Sequence, residues 1–480
     1  MAEKILLVNP NQMKPAVAPI ALDYLASALE ERHFHVDILD LCFSTDWAED
    51  IDSYFRENSA AVVAITLRNT DDTSLSSQEF FIPRFKEVTD CIREQTSALL
   101  IAGGAGFSIM PEAILDYTGL DMGITGDGEY SLPLLVEKLV AQEDYRSVPG
   151  LVYRIDGGFH RNPPYYIDMA DFPTPGRDYV DNRRYYTEGG MGSVETKRGC
   201  NMGCIYCADP LVKGRTSRLR SPKSVVDEIE SLLSMGINTL HFCDSEFNLP
   251  KIHADEICVE IIRRRLANKI KWYTYASPSL FPVDLAVLFK KAGCAGINFG
   301  IDSGSERMLH NLGRNFRVED LRNVAGFCHW HGIDFIFDLL LGGPGETRDT
   351  LRETIELMKD ISPSRIGAAL GVRIFPGTAL ANVVKDMGPL DQNPNLRGKV
   401  SGNDNFFYPM FYVSSDLGED PQQYLADLIG GDERFLFMSP RQDSDRNYNY
   451  NDNSLLQEAI QAGYRGAFWD ILRRYSKIKG

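Results

Sequence analysis

The chain has 480 residues, of which 44% are hydrophobic, 24% charged and 10% aromatic. This excludes a disordered or fibrous protein and, at about 150 residues per domain, calls for two or three domains. With 50 Lys+Arg against 67 Asp+Glu the formal net charge is −17, which argues against a nucleic-acid partner. No apolar run reaches the ~18–20 residues that span a bilayer, so no membrane partner is expected. The N-terminus also lacks the basic and apolar regions of a secretory signal. Cytoplasmic residence is the expectation, and the nine cysteines are read as thiols or metal ligands before disulfides.

Residues 5–10 form a short apolar run ending in Asn9-Pro10, followed by an amphipathic stretch over 18–32 and a strand-like segment over 36–41. Residues 60–67, Ala-Ala-Val-Val-Ala-Ile-Thr-Leu, are continuous and β-branched, as in a strand buried on both faces. A helical pattern at 80–94, a strand at 98–102, another at 120–125 and a helix to 141 complete five alternating units. The pattern predicts a doubly wound parallel sheet within a domain over 1–144. Ligands of such sheets sit beyond the strand C-termini, at residues 9–12, 68–71, 103–108 and 126–129. Glycines there let a backbone approach a ligand closely, or simply make tight turns. The first strand is not followed by Gly-x-Gly-x-x-Gly, which argues against a nicotinamide cofactor. Residues 145–190, with Pro149, Pro163, Pro164, Pro173 and Pro175, are expected as a linker over the surface.

Cys200, Cys204 and Cys207 then fall within eight residues in the spacing Cys-x3-Cys-x2-Cys. Zinc usually takes four ligands in two separated pairs. Three clustered thiolates suit an iron–sulfur cube with one iron left open. The remaining cysteines are scattered singly, as buried thiols are. After this loop, strands at 193–196, 239–243, 271–275, 296–301, 335–341 and 366–374 alternate with helices at 222–235, 254–267, 283–292, 318–331 and 349–360. Six such units over 191–390 predict a partial (β/α)6 barrel with its site at the strand C-termini. Five histidines in this stretch show no ligand spacing.

Cys-x3-Cys-x-aromatic-Cys, with Tyr206 as the aromatic, resembles the signature of radical S-adenosylmethionine (SAM) enzymes. The resemblance implies that the three cysteines hold a [4Fe-4S] cluster whose open iron chelates SAM, and that an electron from it releases a 5′-deoxyadenosyl radical. It implies SAM contacts at Tyr206, at Asp244, Ser245 and Glu246 after the second strand, and at Asp302 and Ser303 after the fourth. Gly343 after the fifth strand and Arg373 and Phe375 at the sixth complete the set. Which carboxylate of Asp244-Ser245-Glu246 meets the SAM ammonium is left open; a carboxylate suits an ammonium in a dry site. The first domain is similar to the cobalamin-binding domain of one subgroup of that family. That likeness implies cobalamin contacts at Asn9, Leu67, Arg68, Asn69, Gly103, Gly104, Ser108, Gly126 and Glu129. The loop after the first strand has no histidine to ligate cobalt. Arg68 lies near that face in one reading, and pairs with Asp71 or Asp72 in the other.

Residues 391–480 form a mostly helical extension, with an aromatic run at 406–413 read as core before substrate box, a polar loop at 443–453 and a helix at 454–477. The preferred function is a cobalamin-dependent C-methyltransferase acting on an unactivated carbon of a small molecule. In it one SAM methylates the corrinoid and a second generates the radical. A non-methylating radical reaction (cyclisation, ring contraction or carbon–sulfur bond formation) is the alternative, and a non-catalytic iron–sulfur or corrinoid carrier the third. The resemblance also implies a reducing partner such as flavodoxin or ferredoxin.

Overall fold

The structure, a computed structural model, describes residues 4–172, 174–437 and 446–479. Its first sheet is built from β1 (Lys4–Asn9), β2 (His35–Asp40), β3 (Val62–Thr66), β4 (Leu99–Gly103) and β5 (Met122–Ile124), all parallel. Strand β1 explains why a doubly wound sheet forms. Ile5 and Leu7 enter one core and Leu6 and Val8 the other, all fully buried. The order β2-β1-β3-β4-β5 reverses between β1 and β3, and a crevice opens there at the strand C-termini.

The stretch expected as a surface linker does more than connect. β6 (Leu151–Ile155) pairs antiparallel with β5, and β7 (Gly158–Arg161) with β6, so the sheet has seven strands. Farther on, Arg177 is fully buried between Asp23 (2.9 Å) and Glu228 (2.5 Å), tying the first domain to the second.

The second sheet contains β8 (Gly192–Val194), then, after the short antiparallel pair β9 (Lys197–Arg198) and β10 (Arg218–Leu219), β11 (Thr239–Phe242), β12 (Lys271–Ala276), β13 (Cys294–Asp302), β14 (Asp334–Leu341) and β15 (Arg365–Leu370). These six strands are parallel in the order β8-β11-β12-β13-β14-β15, the expected partial barrel. The sixth strand is shorter than its apolar run. Gly371, at φ +97°, turns the chain out, and β16 (Val372–Arg373) joins β17 (Leu396–Gly398) and β18 (Met410–Tyr412) in a separate antiparallel sheet.

The C-terminal extension is helical at Pro421–Ile429, Ser454–Gln461 and Phe468–Lys479. It also contributes β19 (Phe435–Phe437), a seventh parallel strand beside β15. Its aromatic run at 406–413 is core, with Phe406, Phe407, Phe411 and Tyr412 buried. The expected loop at 443–453 lies partly outside the described residues. The last two helices pack Leu455, Leu456, Trp469 and Ile471 against Tyr273, Ile336 and Leu436 on the concave face of the barrel. They cover the N-terminal halves of its strands and leave the C-terminal mouth facing the first domain. No helix among the described residues is long and apolar enough to cross a membrane.

Candidate functional site

The cysteine loop joins β9 to the short helix Asp209–Lys213. Gly199 starts it at φ +90°, where a Cβ would come 2.1 Å from the Thr216 carbonyl oxygen, so no other residue fits that turn. Backbone bonds from Cys200 N to Gly214 O (3.1 Å) and Ile205 N to Leu312 O (3.1 Å) pin the loop at the barrel mouth. All three cysteines are free and half-buried. Burial raises their pKa values, Cys207 to about 12, and at Cys204 the Arg314 guanidinium opposes the rise. Arg314 Nη1 lies 2.9 Å from Cys204 Sγ.

Among the described residues no three His, Cys, Asp or Glu side chains converge as a single ion requires. A mononuclear centre needs every sulfur about 2.3 Å from one metal. A cube needs the opposite, since each thiolate takes its own iron and the sulfurs stand apart. Three unpaired thiols on one pinned loop, with a guanidinium against one sulfur, fit the cube.

Asp244, Ser245 and Glu246 differ in their partners. Asp244 is buried and spent on the backbone. It accepts from Thr196 N (2.8 Å), Thr196 Oγ1 (2.5 Å) and Lys197 N (3.2 Å), bracing the strand that leads into the cysteine loop. Ser245 donates to Asp209. Glu246 keeps a buried Oε2 without a partner, and its nearest cation, Arg314, is 3.9 Å away. Burial pushes its carboxyl up to about 7, against the pull of Arg314 and Lys197. Of the three, Glu246 is the one whose carboxylate keeps an oxygen free of any partner.

Asp302, at φ +63°, ends β13. It accepts a 2.7 Å bond from the Tyr206 hydroxyl and lies 3.5 Å from Arg314, so the fourth strand and the cysteine loop meet there. Ser303 does not face the mouth chemistry; its hydroxyl is 2.8 Å from that of Thr354 and accepts from Ser305 N. Gly343 sits where a Cβ would press on Leu312 at 2.9 Å. Its turn is braced by Glu346, which accepts from Gly342 N and whose carboxyl burial raises to about 7. Arg373 is buried against Asp71 of the first domain at 3.0 Å and under the half-buried Phe375 ring at 4.6 Å. It is a tie between domains.

In the first domain, Gly103, Gly104, Gly126 and Glu129 line a cavity of about 180 Å³ with Ala21, Ala64 and Ala105. A Cβ on Gly104, at φ +101°, would come 2.6 Å from Leu67 O. Small residues thus keep a slot open at the C-terminal ends of β3, β4 and β5, a cradle that fits a flat nucleotide-like tail. Other residues of the cobalamin expectation have structural partners. Asn9 donates to Asp40 (2.9 Å) and Tyr185 (3.1 Å). Ser108 links Gly104 O to Gly126 N. Glu129 is held in two bonds by Arg198 at 3.0 and 2.5 Å, across the domain seam.

Leu67, Arg68 and Asn69 line a second cavity of about 460 Å³ at the β1/β3 crevice, closed from the far side by Asn451, Asp452 and Gln457. The pairing of Arg68 with Asp71 or Asp72 is not found. Asp71 holds Arg373, and Asp72 holds Ser77 and Asn449. Among the described residues the Arg68 side chain has no hydrogen bond or ion pair. It is accessible, yet burial lowers its pKa, as fits a guanidinium standing in an interior chamber. Its charge is felt by His241 and Tyr275 of the barrel, which places it over the mouth. His241, held neutral by burial at about 4, and Arg314 were not singled out by their spacing. Only the fold brings them to the mouth.

Two family descriptions match the sequence, the B12 binding domain over residues 11–136 and the radical SAM superfamily over residues 194–358. The chain is 32% identical to the tryptophan 2-C-methyltransferase of Streptomyces laurentii, over 97% of this chain and 95% of that protein. Among solved structures it resembles the radical SAM methyltransferase TsrM from Kitasatospora setae. The form with tryptophan substrate and a SAM analogue bound gives a TM-score of 0.94 at 32% identity, covering 100% of this chain and 98% of that one. The form with cobalamin and a [4Fe-4S] cluster bound gives 0.90 at 31%, with the same coverage.

Proposed function

Since the chain belongs to the cobalamin-dependent radical SAM methyltransferases, we propose that it moves a methyl group from SAM to a carbon of an aromatic amino acid, with C2 of tryptophan as the leading position. The observation that carries this reading is the chamber itself: Arg68 of the first domain, without a counter-ion, stands over a barrel mouth that holds the cysteine loop and Glu246. The likeness to a tryptophan C-methyltransferase along nearly the whole chain supports the choice of substrate.

Each residue has a task in this reading. Cys200, Cys204 and Cys207 hold the cluster, and Arg314 offsets negative charge at Cys204. Glu246 receives the SAM ammonium, which fills the partner its carboxylate lacks. Tyr206 and Asp302, bonded to each other, shape the wall beside it. The glycine-lined slot takes the cobalamin tail. Arg68, lining the neighbouring cavity, would offer bound cobalamin no ligand to cobalt, because a guanidinium has no lone pair to donate. Bound there, cobalamin supplies a methyl carrier and the cluster an electron source. A reductant of the flavodoxin or ferredoxin class belongs to the same proposal. The interdomain ties through Arg177, Arg198 and Arg373 hold the two cofactor regions in register and keep water from the space between them.

The test is anaerobic protein loaded with iron, sulfide and cobalamin, given methyl-deuterated SAM, L-tryptophan and a reductant. Labelled 2-methyltryptophan with matching S-adenosylhomocysteine supports the reading. SAM consumed to 5′-deoxyadenosine alone, with no label on any product, overturns it in favour of a non-methylating reaction. Replacing Arg68 by His leaves the bound cobalamin spectrum unchanged only if Arg68 is not at the corrin.

A further inference from the structure

We propose that Asp338 and the tyrosines around it form the anchor for the substrate's ammonium group; this deepens the amino-acid reading above and rests on it. Asp338 lies on β14 opposite Gly300 of β13. Gly300 is in the middle of the sheet, yet a Cβ there would meet nothing within 4 Å. Tyr275, on the neighbouring central strand β12, is 41% accessible. A central strand can show such openness only toward a hollow interior, so both residues report the same void below the mouth.

The walls of that void have an unbalanced charge. Asp338 accepts from Tyr448 Oη (2.6 Å) and from Asn298 Nδ2 (3.2 Å), both neutral. Among the described residues no Lys, Arg or His pairs with it. Of the cations at the mouth, Arg314 is committed to Cys204, Gly300 O and Asp302, and Arg68, which shares Tyr275 as a neighbour with Asp338, forms no ion pair with it. Below lies the buried Trp469, whose indole N–H donates to Asn298 Oδ1 at 2.7 Å. The Tyr450 hydroxyl, near enough to feel the charge of Asp338, is buried with no hydrogen-bond partner at all. A half-buried carboxylate with no cation bonded to it, beside an unpartnered buried hydroxyl, leaves two polar demands unmet.

An ammonium group meets both demands. It neutralises Asp338, offers three donors, and is attracted to the faces of Tyr275 and Tyr448. A neutral indole N–H would satisfy a lone pair and leave the charge. Asp338 comes one residue before Leu339, the register partner of Asp302, so it lies beneath the Tyr206–Asp302 pair on the neighbouring strand. An aromatic amino acid anchored by its nitrogen would then direct its ring up toward the mouth. The extension thereby takes part in recognition, since Tyr448 and Tyr450 both come from it.

The experiment uses the loaded holoenzyme with L-tryptophan and with indole-3-propionate, which lacks the amino group. Wild type is expected to favour tryptophan. Asp338→Asn is expected to raise the KM for tryptophan by about 30-fold or more, with kcat little changed, and to leave kcat/KM for indole-3-propionate as it was. An Asp338→Asn variant with an unaltered tryptophan KM, or with both substrates impaired alike, overturns the anchor. Competition on wild type needs no variant: tryptamine, which keeps the ammonium, should inhibit tryptophan turnover far better than indole-3-propionate, and the reverse order also overturns it. Absence of any methylation of tryptophan by wild type overturns the function and the anchor together, whereas turnover with the wrong ranking overturns the anchor alone.

Discussion

Two regions of the molecule gather charge, and they do it in opposite ways. At the seam, Arg177, Arg220, Asp23 and Glu228 have fully buried side chains, and each meets an opposite charge at 2.5 to 2.9 Å. Tyr24 and Asn182 add further bonds to Glu228 and Asp23. At the barrel mouth, Glu246, Asp338 and Arg68 lack such partners, and Glu246 Oε2 and Tyr450 Oη are orphaned. At the seam every charge faces an opposite charge, with only Arg220 Nε left without a partner, and the network holds the domains together. The mouth is incomplete, and its unmet bonds are what the proposed reading assigns to ligands: an ammonium at Glu246, another at Asp338, and the corrinoid beside Arg68. Burial of charge alone therefore does not mark a site; burial of charge without compensation does.

The contrast can be broken in several places. The largest effect is expected from Cys204→Ala, which should lower methylation to background and cut bound iron, measured by product assay and iron analysis. Next, Arg177→Ala should cost about 3–5 kcal/mol, because it leaves Asp23 and Glu228 buried without their cation; urea unfolding of the loaded protein checks it. If that loss is under 1 kcal/mol, the seam is not the closed network described. Ala21→Trp, filling the slot from one helix, should weaken cobalamin binding by about tenfold or more, near 1.4 kcal/mol, with tryptophan-independent cluster content unchanged.

A smaller effect concerns pH. Burial pushes the Asp338 carboxyl up to about 6 from 3.8. A raised carboxyl favours the fold at low pH, and that contribution is lost as the pH climbs through 6. Asp338→Asn should therefore stabilise the substrate-free protein at pH 8 by on the order of 1 kcal/mol, with a difference that shrinks at pH 5; thermal melts at the two values decide it. The smallest effect is expected at Arg56, an exposed partner of Glu49 and Asp52, where Ala should leave the melting midpoint unmoved.

Much of the fold was legible because its causes are local. Residues 60–67 read as a buried strand from a β-branched run, and the cysteine triplet is a signal within eight residues. What was not legible depends on partners distant in the chain. β6 alternates only weakly, and β19 is three residues, Phe-Leu-Phe; each is a strand because a neighbouring edge was waiting for it. Asp244 and Glu246 look equivalent in sequence, and only Thr196 across the sheet separates the spent carboxylate from the free one. The roles expected of Asn9, Ser303 and Arg373 gave way to structural bonds for the same reason. Asp338 did leave a trace, a carboxylate inside the apolar run Phe335-Ile336-Phe337-Asp338-Leu339-Leu340-Leu341, since a charge in a central strand needs an explanation.

The central claim is that one loop of three cysteines holds an open iron–sulfur cube beneath a corrinoid. The most direct measurement is the iron, sulfide and cobalamin content of anaerobically loaded protein beside its Cys200→Ala/Cys204→Ala/Cys207→Ala counterpart. The account predicts about four irons and four sulfides per wild-type chain, one cobalamin in both proteins, and almost no iron in the triple variant. Iron retained at wild-type levels without the three cysteines would contradict it.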